Sequence, residues 1–268
     1  MTRWLLIIGA GLVLLVGGLL LSGSAAWYVM GLSEDLSVSG RAETIPGASS
    51  PSIGDGWPSY GGDPGGARYS NLTQIDRDNV RTLEPAWTYR TRAFDGREDV
   101  IRRTAFETTP ILADDRLFLC SPFNEAIALD PGTGEEIWRF DAMVDKGMRP
   151  ANQFVCRGVS FWRDSRALAE DACSKRIFMA TNDGRLIALD ASTGQPCQSF
   201  GTEGQISVSP GMALRWPGEF QITSAPAIAG DVVVVGTSIS DNLRADAPRG
   251  TVHAFDARTG APVWKFDP

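Results

Sequence analysis

One motif, written three times, constrains this chain more than any other feature. Ala128-Leu-Asp130-Pro-Gly-Thr133-Gly134-Glu-Glu-Ile-Trp138 is followed by Ala188-Leu-Asp190-Ala-Ser-Thr193-Gly194-Gln-Pro-Cys-Gln198, and that by Ala254-Phe-Asp256-Ala-Arg-Thr259-Gly260-Ala-Pro-Val-Trp264. The aspartates lie 60 and 66 residues apart (190 − 130 and 256 − 190), a spacing suited to one propeller blade each with generous loops. In each copy a strand ends at the Asp, whose carboxylate can accept hydrogen bonds from the turn amides that follow. The Gly after Thr can take positive φ. The Trp of the returning strand can wedge between neighbouring sheets and bury a large apolar area. Gln198 stands where the second copy should have Trp, which predicts a weaker contact at that blade.

Short apolar runs ahead of each motif read as strands: Ile111-Leu-Ala and Arg116-Leu-Phe-Leu-Cys120, then Arg176-Ile-Phe-Met-Ala180, then Ala225-Pro-Ala-Ile-Ala229 and Asp231-Val-Val-Val-Val-Gly236. Asp183-Gly184 is a hairpin signal. From Trp57 onward no stretch carries a helical period, so the expected class is all-β. Repeated strands with a wedge residue fit a partial β-propeller of about three blades better than a sandwich. Three blades do not close a ring, so the chain reads as the front part of a longer protein with one sheet face left open.

The amino terminus differs. Trp4 to Ser33 contains no charged residue, and Leu5 to Leu21 is almost wholly Leu, Ile, Val, Gly and Ala. Such a run can cross a bilayer core of roughly 30 Å. Residues 1–33 are therefore expected to form a transmembrane helix, with Arg3 leaving the amino terminus in the cytoplasm. A cleaved signal peptide cut near Ser24-Ala25-Ala26 is the rival reading. Both export the rest. Residues 34–56, rich in Ser, Gly and Pro, read as a linker, and residues 57–268 as the incomplete propeller.

Lys+Arg is 25 against 32 Asp+Glu, a formal charge of -7, which argues against a nucleic-acid binder. With a single histidine, His253, the chain has no material for a His-based triad or a His-rich zinc site. His253 itself reads as a strand residue. Export would place Cys120, Cys156, Cys173 and Cys197 in an oxidising compartment, where four cysteines allow three pairings. A free buried thiol stays open for Cys120.

Trp57-Pro-Ser-Tyr-Gly-Gly-Asp-Pro-Gly-Gly-Ala-Arg-Tyr-Ser70, followed by Leu72-Thr-Gln-Ile-Asp76 and by Asn79-Val80 onward to Ala86-Trp-Thr-Tyr-Arg90, resembles the opening segment of pyrroloquinoline-quinone (PQQ)-dependent dehydrogenases. The three Asp-x-x-Thr-Gly copies resemble that family's tryptophan-docking motifs. Ser240-Asp241-Asn242 and Pro248-Arg-Gly250 point to its membrane-bound, glucose-dehydrogenase-like branch. The alcohol-dehydrogenase branch usually carries Glu at the metal position and a vicinal Cys-Cys, both absent here.

The resemblance implies an eight-bladed propeller, of which this chain supplies under half. It implies PQQ with Ca²⁺ or Mg²⁺ as cofactors, a sugar, polyol or alcohol substrate, and electron transfer to ubiquinone from an inner-membrane anchor with the propeller in the periplasm. Glu107, in Phe106-Glu-Thr-Thr-Pro110, and Arg157, in Cys156-Arg-Gly-Val-Ser160, match cofactor contacts. The planar guanidinium suits a cofactor carboxylate. Thr223 and Ser238 match hydroxyl donors to the cofactor, and Asp241 with Asn242 matches the metal position, where hard oxygen ligands suit Ca²⁺ or Mg²⁺. The catalytic Asp falls in later blades, so the 268-residue chain alone is expected to be inactive. Trp162 follows Phe161 where glucose-oxidising relatives have His, which puts glucose itself in doubt. A propeller of this texture could instead be a non-catalytic interaction scaffold of the envelope. The two readings separate on whether Glu107, Arg157, Thr223 and Asp241 converge.

Overall fold

The computed structural model describes residues 56–70, 72–208 and 211–267. The expected membrane segment and most of the linker lie outside the described residues. Among those described, no helix is long and apolar enough to cross a membrane.

Among the described residues, fourteen strands build three four-stranded antiparallel sheets and one ribbon. The first blade orders β1 (Ile111–Ala113), β2 (Arg116–Cys120), β3 (Glu125–Leu129) and β4 (Glu136–Asp141). The second orders β5 (Ser160–Arg163), β6 (Lys175–Ala180), β7 (Arg185–Asp190) and β8 (Gln205–Ser207). The third orders β10 (Ala227–Ala229), β11 (Val232–Gly236), β13 (Val252–Asp256) and β14 (Pro262–Phe266). Between them β9 (Phe220–Gln221) pairs with β12 (Ser238–Ile239) as a separate two-stranded ribbon. The described part is thus all-β, as the repeats require.

The alternation of strand side chains explains the stacking. In β6, Ile177 and Met179 face the first blade and join Phe118, Phe123 and Phe154 in one core. Phe178 and Ala180 face the other way and join Phe200, Val233 and Val235 in a second. A blade between two others is therefore buried on both faces, and β6 reads as a near-continuous apolar run. Each fully buried Phe of these seams contributes roughly 1.5–3 kcal/mol.

The repeated turns are built as their residue types demand. Asp130 Oδ1 accepts from Gly132 N–H and Thr133 N–H, both at 2.8 Å, and from the Thr133 hydroxyl at 3.1 Å. Asp190 and Asp256 repeat the arrangement. Gly194 takes φ +73°, and the Trp138 ring lies against it, while Trp138 Nε1 donates to Ala191 O at 3.1 Å. Trp138 therefore docks on the turn of the following blade. Trp87 does the same one step earlier, lying on Gly134 and donating to Pro131 O at 3.0 Å.

The second blade corrects the expectation at Gln198. Its outer strand is β8, displaced beyond the motif, and Gln198 is exposed. Gly260 is met instead by Phe200 and Ile206, and Gly201 N–H donates to Thr259 O at 2.8 Å. Arg176 adds hydrogen bonds to Ala257 O and Arg258 O at 2.9 and 2.7 Å. These residues fill the place that an indole takes against the two preceding turns.

All four cysteines are paired, Cys120 with Cys156 and Cys173 with Cys197. The open choice of three pairings is resolved, and Cys120 is not a free thiol.

Candidate functional site

Three backbones run side by side just ahead of the first strand of each blade. Ala105 N–H donates to Phe154 O and Thr109 N–H to Arg157 O, both at 3.0 Å, and Arg157 N–H donates to Thr223 O at 3.1 Å. Pro110 and Pro226, which have no N–H, close two of these segments at the strand starts. Gly158 (φ +151°) makes the close approach possible, because a Cβ there would lie 3.3 Å from Thr109 O. Side chains far apart in sequence are thereby set in one row.

Arg157 is the centre of that row. Its Nε lies 2.9 Å from Glu107 Oε2, and its Nη1 donates to Thr223 Oγ1 at 2.7 Å. The two charged side chains remain 46% and 45% exposed, so the pair adds little stability. The guanidinium keeps its Nη2 edge without a partner among the described residues, a ready position for an anionic group. Thr223 accepts from Arg157, which leaves its own hydroxyl proton free to donate.

Thr223 follows β9, Ser238 lies in β12 opposite Gln221, and Asp241 follows β12, so one ribbon carries three of the expected residues. Ser238 Oγ accepts from Asn152 Nδ2 at 3.2 Å. It reaches the row through this contact, not through Arg157. The ribbon is tied to the blades by amides that no sequence motif singles out. Gln221 Nε2 donates to Asn182 Oδ1 at 3.0 Å, and Asn182 Nδ2 donates to Asn124 Oδ1 at 2.6 Å and to Pro122 O at 2.9 Å. All three amide residues are fully buried. Paired polar groups inside a core specify one arrangement of the blades. No periodicity announces them, because Asn and Gln at strand ends are ordinarily turn residues.

Asp241 and Asn242 occupy a short 3-10 turn, Asp241–Leu243, and are exposed. Neither touches Glu107, Arg157 or Thr223. Asp241 has no ion-pair or hydrogen-bond partner among the described residues. There is no cluster of three His, Cys, Asp or Glu among the described residues that could hold a metal ion. Ca²⁺ takes 6–8 oxygen ligands, of which Asp241 and Asn242 could offer one carboxylate and one amide oxygen.

Packing accounts for two more residues. Trp162 is buried in β5, where its Nε1 donates to Gly230 O at 3.1 Å and Arg258 sits 5.0 Å from the ring centroid. It seals the seam between the second and third blades. His253 lies in β13, as a strand residue should, with Nε2 2.7 Å from Thr251 Oγ1. Burial, with Lys265 adding to it, holds its pKa below the ordinary value.

The family described as PQQ: Glucose/ethanol/alcohol dehydrogenase, beta-propeller domain, matches residues 57–268. Quinoprotein glucose dehydrogenase A of Acinetobacter calcoaceticus is 34% identical over 237 residues, covering 84% of this chain and 29% of that protein. Quinate/shikimate dehydrogenase (quinone) of Acinetobacter baylyi is 36% identical over 235 residues, covering 79% of this chain and 27% of its own length. Among solved structures, quinohemoprotein alcohol dehydrogenase from Comamonas testosteroni superposes with a TM-score of 0.62 at 28% identity, over 82% of this chain and 28% of that one. The chain thus spans less than a third of the length of these relatives.

Proposed function

We propose, since this chain belongs to the PQQ β-propeller family of glucose/ethanol/alcohol dehydrogenases, that the whole protein is a membrane-anchored quinoprotein dehydrogenase. It oxidises a hydroxyl of a sugar, polyol or alcohol in the periplasm and passes the electrons to ubiquinone. The relatives named for glucose, quinate/shikimate and alcohol support that substrate range. Two disulfides support an oxidising compartment.

The observation that carries the reading is Arg157, bridging Glu107 and Thr223 with one donor edge unspent. When bound, PQQ supplies two-electron acceptor chemistry and the cation supplies Lewis acidity. Arg157 would hold a carboxylate of the cofactor with its remaining guanidinium donors. Glu107 holds the guanidinium by Nε and so fixes the plane of the fork. Thr223 and Ser238, each already accepting one hydrogen bond, keep their hydroxyl protons for the ligand. Asp241 and Asn242 offer a carboxylate and an amide oxygen to Ca²⁺ or Mg²⁺. None of the 268 residues is assigned as the catalytic base.

Titration of the whole protein with PQQ in the presence of Ca²⁺, followed by quenching of tryptophan fluorescence, tests this. Arg157→Lys keeps the charge but loses the fork, and should weaken binding by about tenfold. If PQQ does not bind the wild-type protein, the dehydrogenase reading falls and the scaffold reading takes its place.

A further inference from the structure

Glu219 is a charged residue with no exposed surface, and it lies in none of the docking turns. Its contacts fall on both sides of Asp241-Asn242. Ser240 N–H, immediately before the pair, donates to Glu219 O at 3.2 Å. Arg244, which follows Leu243, donates from Nε to Glu219 Oε1 at 2.6 Å, its side chain only 7% exposed. The second carboxylate oxygen, Oε2, accepts from Arg215 N–H at 2.7 Å. Arg244 is braced in turn by Asp246 Oδ1 at 3.1 Å. One buried residue therefore flanks the turn on both sides, its backbone carbonyl holding the entry and its carboxylate the exit, while the turn's own two polar residues hold nothing.

We infer that Glu219 and Arg244 are positioning residues that present Asp241 and Asn242 to a divalent cation. The inference rests on the proposed cation site and adds the device that shapes it. A buried ion pair is a poor source of net stability, since desolvation offsets most of the attraction. It is a good way to hold a short segment in one place. A hard cation is sensitive to that, because its oxygen ligands must lie within a narrow range of distances.

Cation affinity, measured by Tb³⁺ luminescence on the whole protein with PQQ present and far below its melting temperature, decides the matter. Glu219→Gln should weaken Tb³⁺ binding by about tenfold, in line with loss of a group that orients metal ligands. Arg244→Lys, a milder change that keeps the charge, should weaken it by a smaller factor and decides the question if Glu219→Gln does not fold. Arg258→Met, at the half-buried ion pairs with Asp164 and Asp231, should lower the melting temperature and leave Tb³⁺ affinity within about twofold, since it lies away from the turn. Wild-type affinity in both Glu219→Gln and Arg244→Lys overturns the positioning role alone. If wild type does not bind Tb³⁺, or Asp241→Asn binds it unchanged, the cation site itself is overturned.

Discussion

Gly194→Ala measures the wedge on which the blade stacking depends. Gly194 has φ +73°, and an added Cβ would lie 2.7 Å from Trp138 Cδ2 and Cε3. Gly230 is the control, with φ +61° and nothing within 4 Å of the added atom. Both substitutions meet the left-handed backbone penalty of roughly 1 kcal/mol. Only Gly194→Ala also displaces an indole that is 9% exposed and hydrogen-bonded to Ala191 O. Removing such a Trp entirely costs about 3–5 kcal/mol, and half of that is a fair share for a displaced one. Gly194→Ala should then cost about 3 kcal/mol and Gly230→Ala about 1 kcal/mol, or about 9 °C and 3 °C in melting temperature for a domain of this size. The assay is thermal and urea denaturation followed by circular dichroism, repeated in a Trp138→Ala background. There the steric part vanishes and Gly194→Ala should fall to about 1 kcal/mol, a coupling of about 2 kcal/mol. An equal cost with and without the indole would refute the wedge.

Further outcomes are expected from the disulfides and the charged seams. The bridges close sequence separations of 36 and 24 residues, so replacing either pair with Ser should cost about 3–4 kcal/mol by loop closure. Only Cys120→Ser with Cys156→Ser should also weaken PQQ binding, because Cys156 precedes Arg157 and the Thr108 hydroxyl accepts from Cys120 N–H at 3.3 Å; equal PQQ affinity in both double variants would count against it. The hydrogen bond from Arg258 holds the Asp164 carboxyl below its ordinary pKa. A carboxylate depressed in the folded state stabilises above its unfolded pKa, and that contribution is lost as pH falls through the folded value. Urea midpoints of wild type and Asp164→Asn should therefore differ at neutral pH and converge below about pH 4; a gap that stays constant counts against the assignment. The Tyr89 phenol is pushed up to about 12, first by burial and then by its hydrogen bond to Glu136. Absorbance titration should show one tyrosine ionising late, and Glu136→Gln should bring it only part of the way back.

The resemblance to PQQ dehydrogenases picked out Glu107, Arg157 and Thr223 from the sequence, and the structure sets these three side chains in contact, while Asp241 and Asn242 sit on a turn of their own. Trp87 was present in the sequence as Trp87-Thr-Tyr89, the same Trp-x-aromatic pattern as Trp138-Arg-Phe140 and Trp264-Lys-Phe266, yet its docking on the first blade needed the structure. Glu219 and the amide residues Asn124, Asn182 and Gln221 carry no periodic signal, since their partners come from distant segments.

Strands β1, β2, β10 and β11 and the three docking turns followed from the residues alone, because an Asp, a Thr and a Gly within a few positions close their hydrogen bonds among themselves. The displaced strand β8, the β9–β12 ribbon and the meeting of Arg157 with Thr223, 66 residues away, were decided only when sheet packed on sheet. A strand edge can pair with many partners. Which faces come together depends on burying Phe178 and Phe200 on one side and Ile177 and Met179 on the other, and that choice is made by the whole core at once.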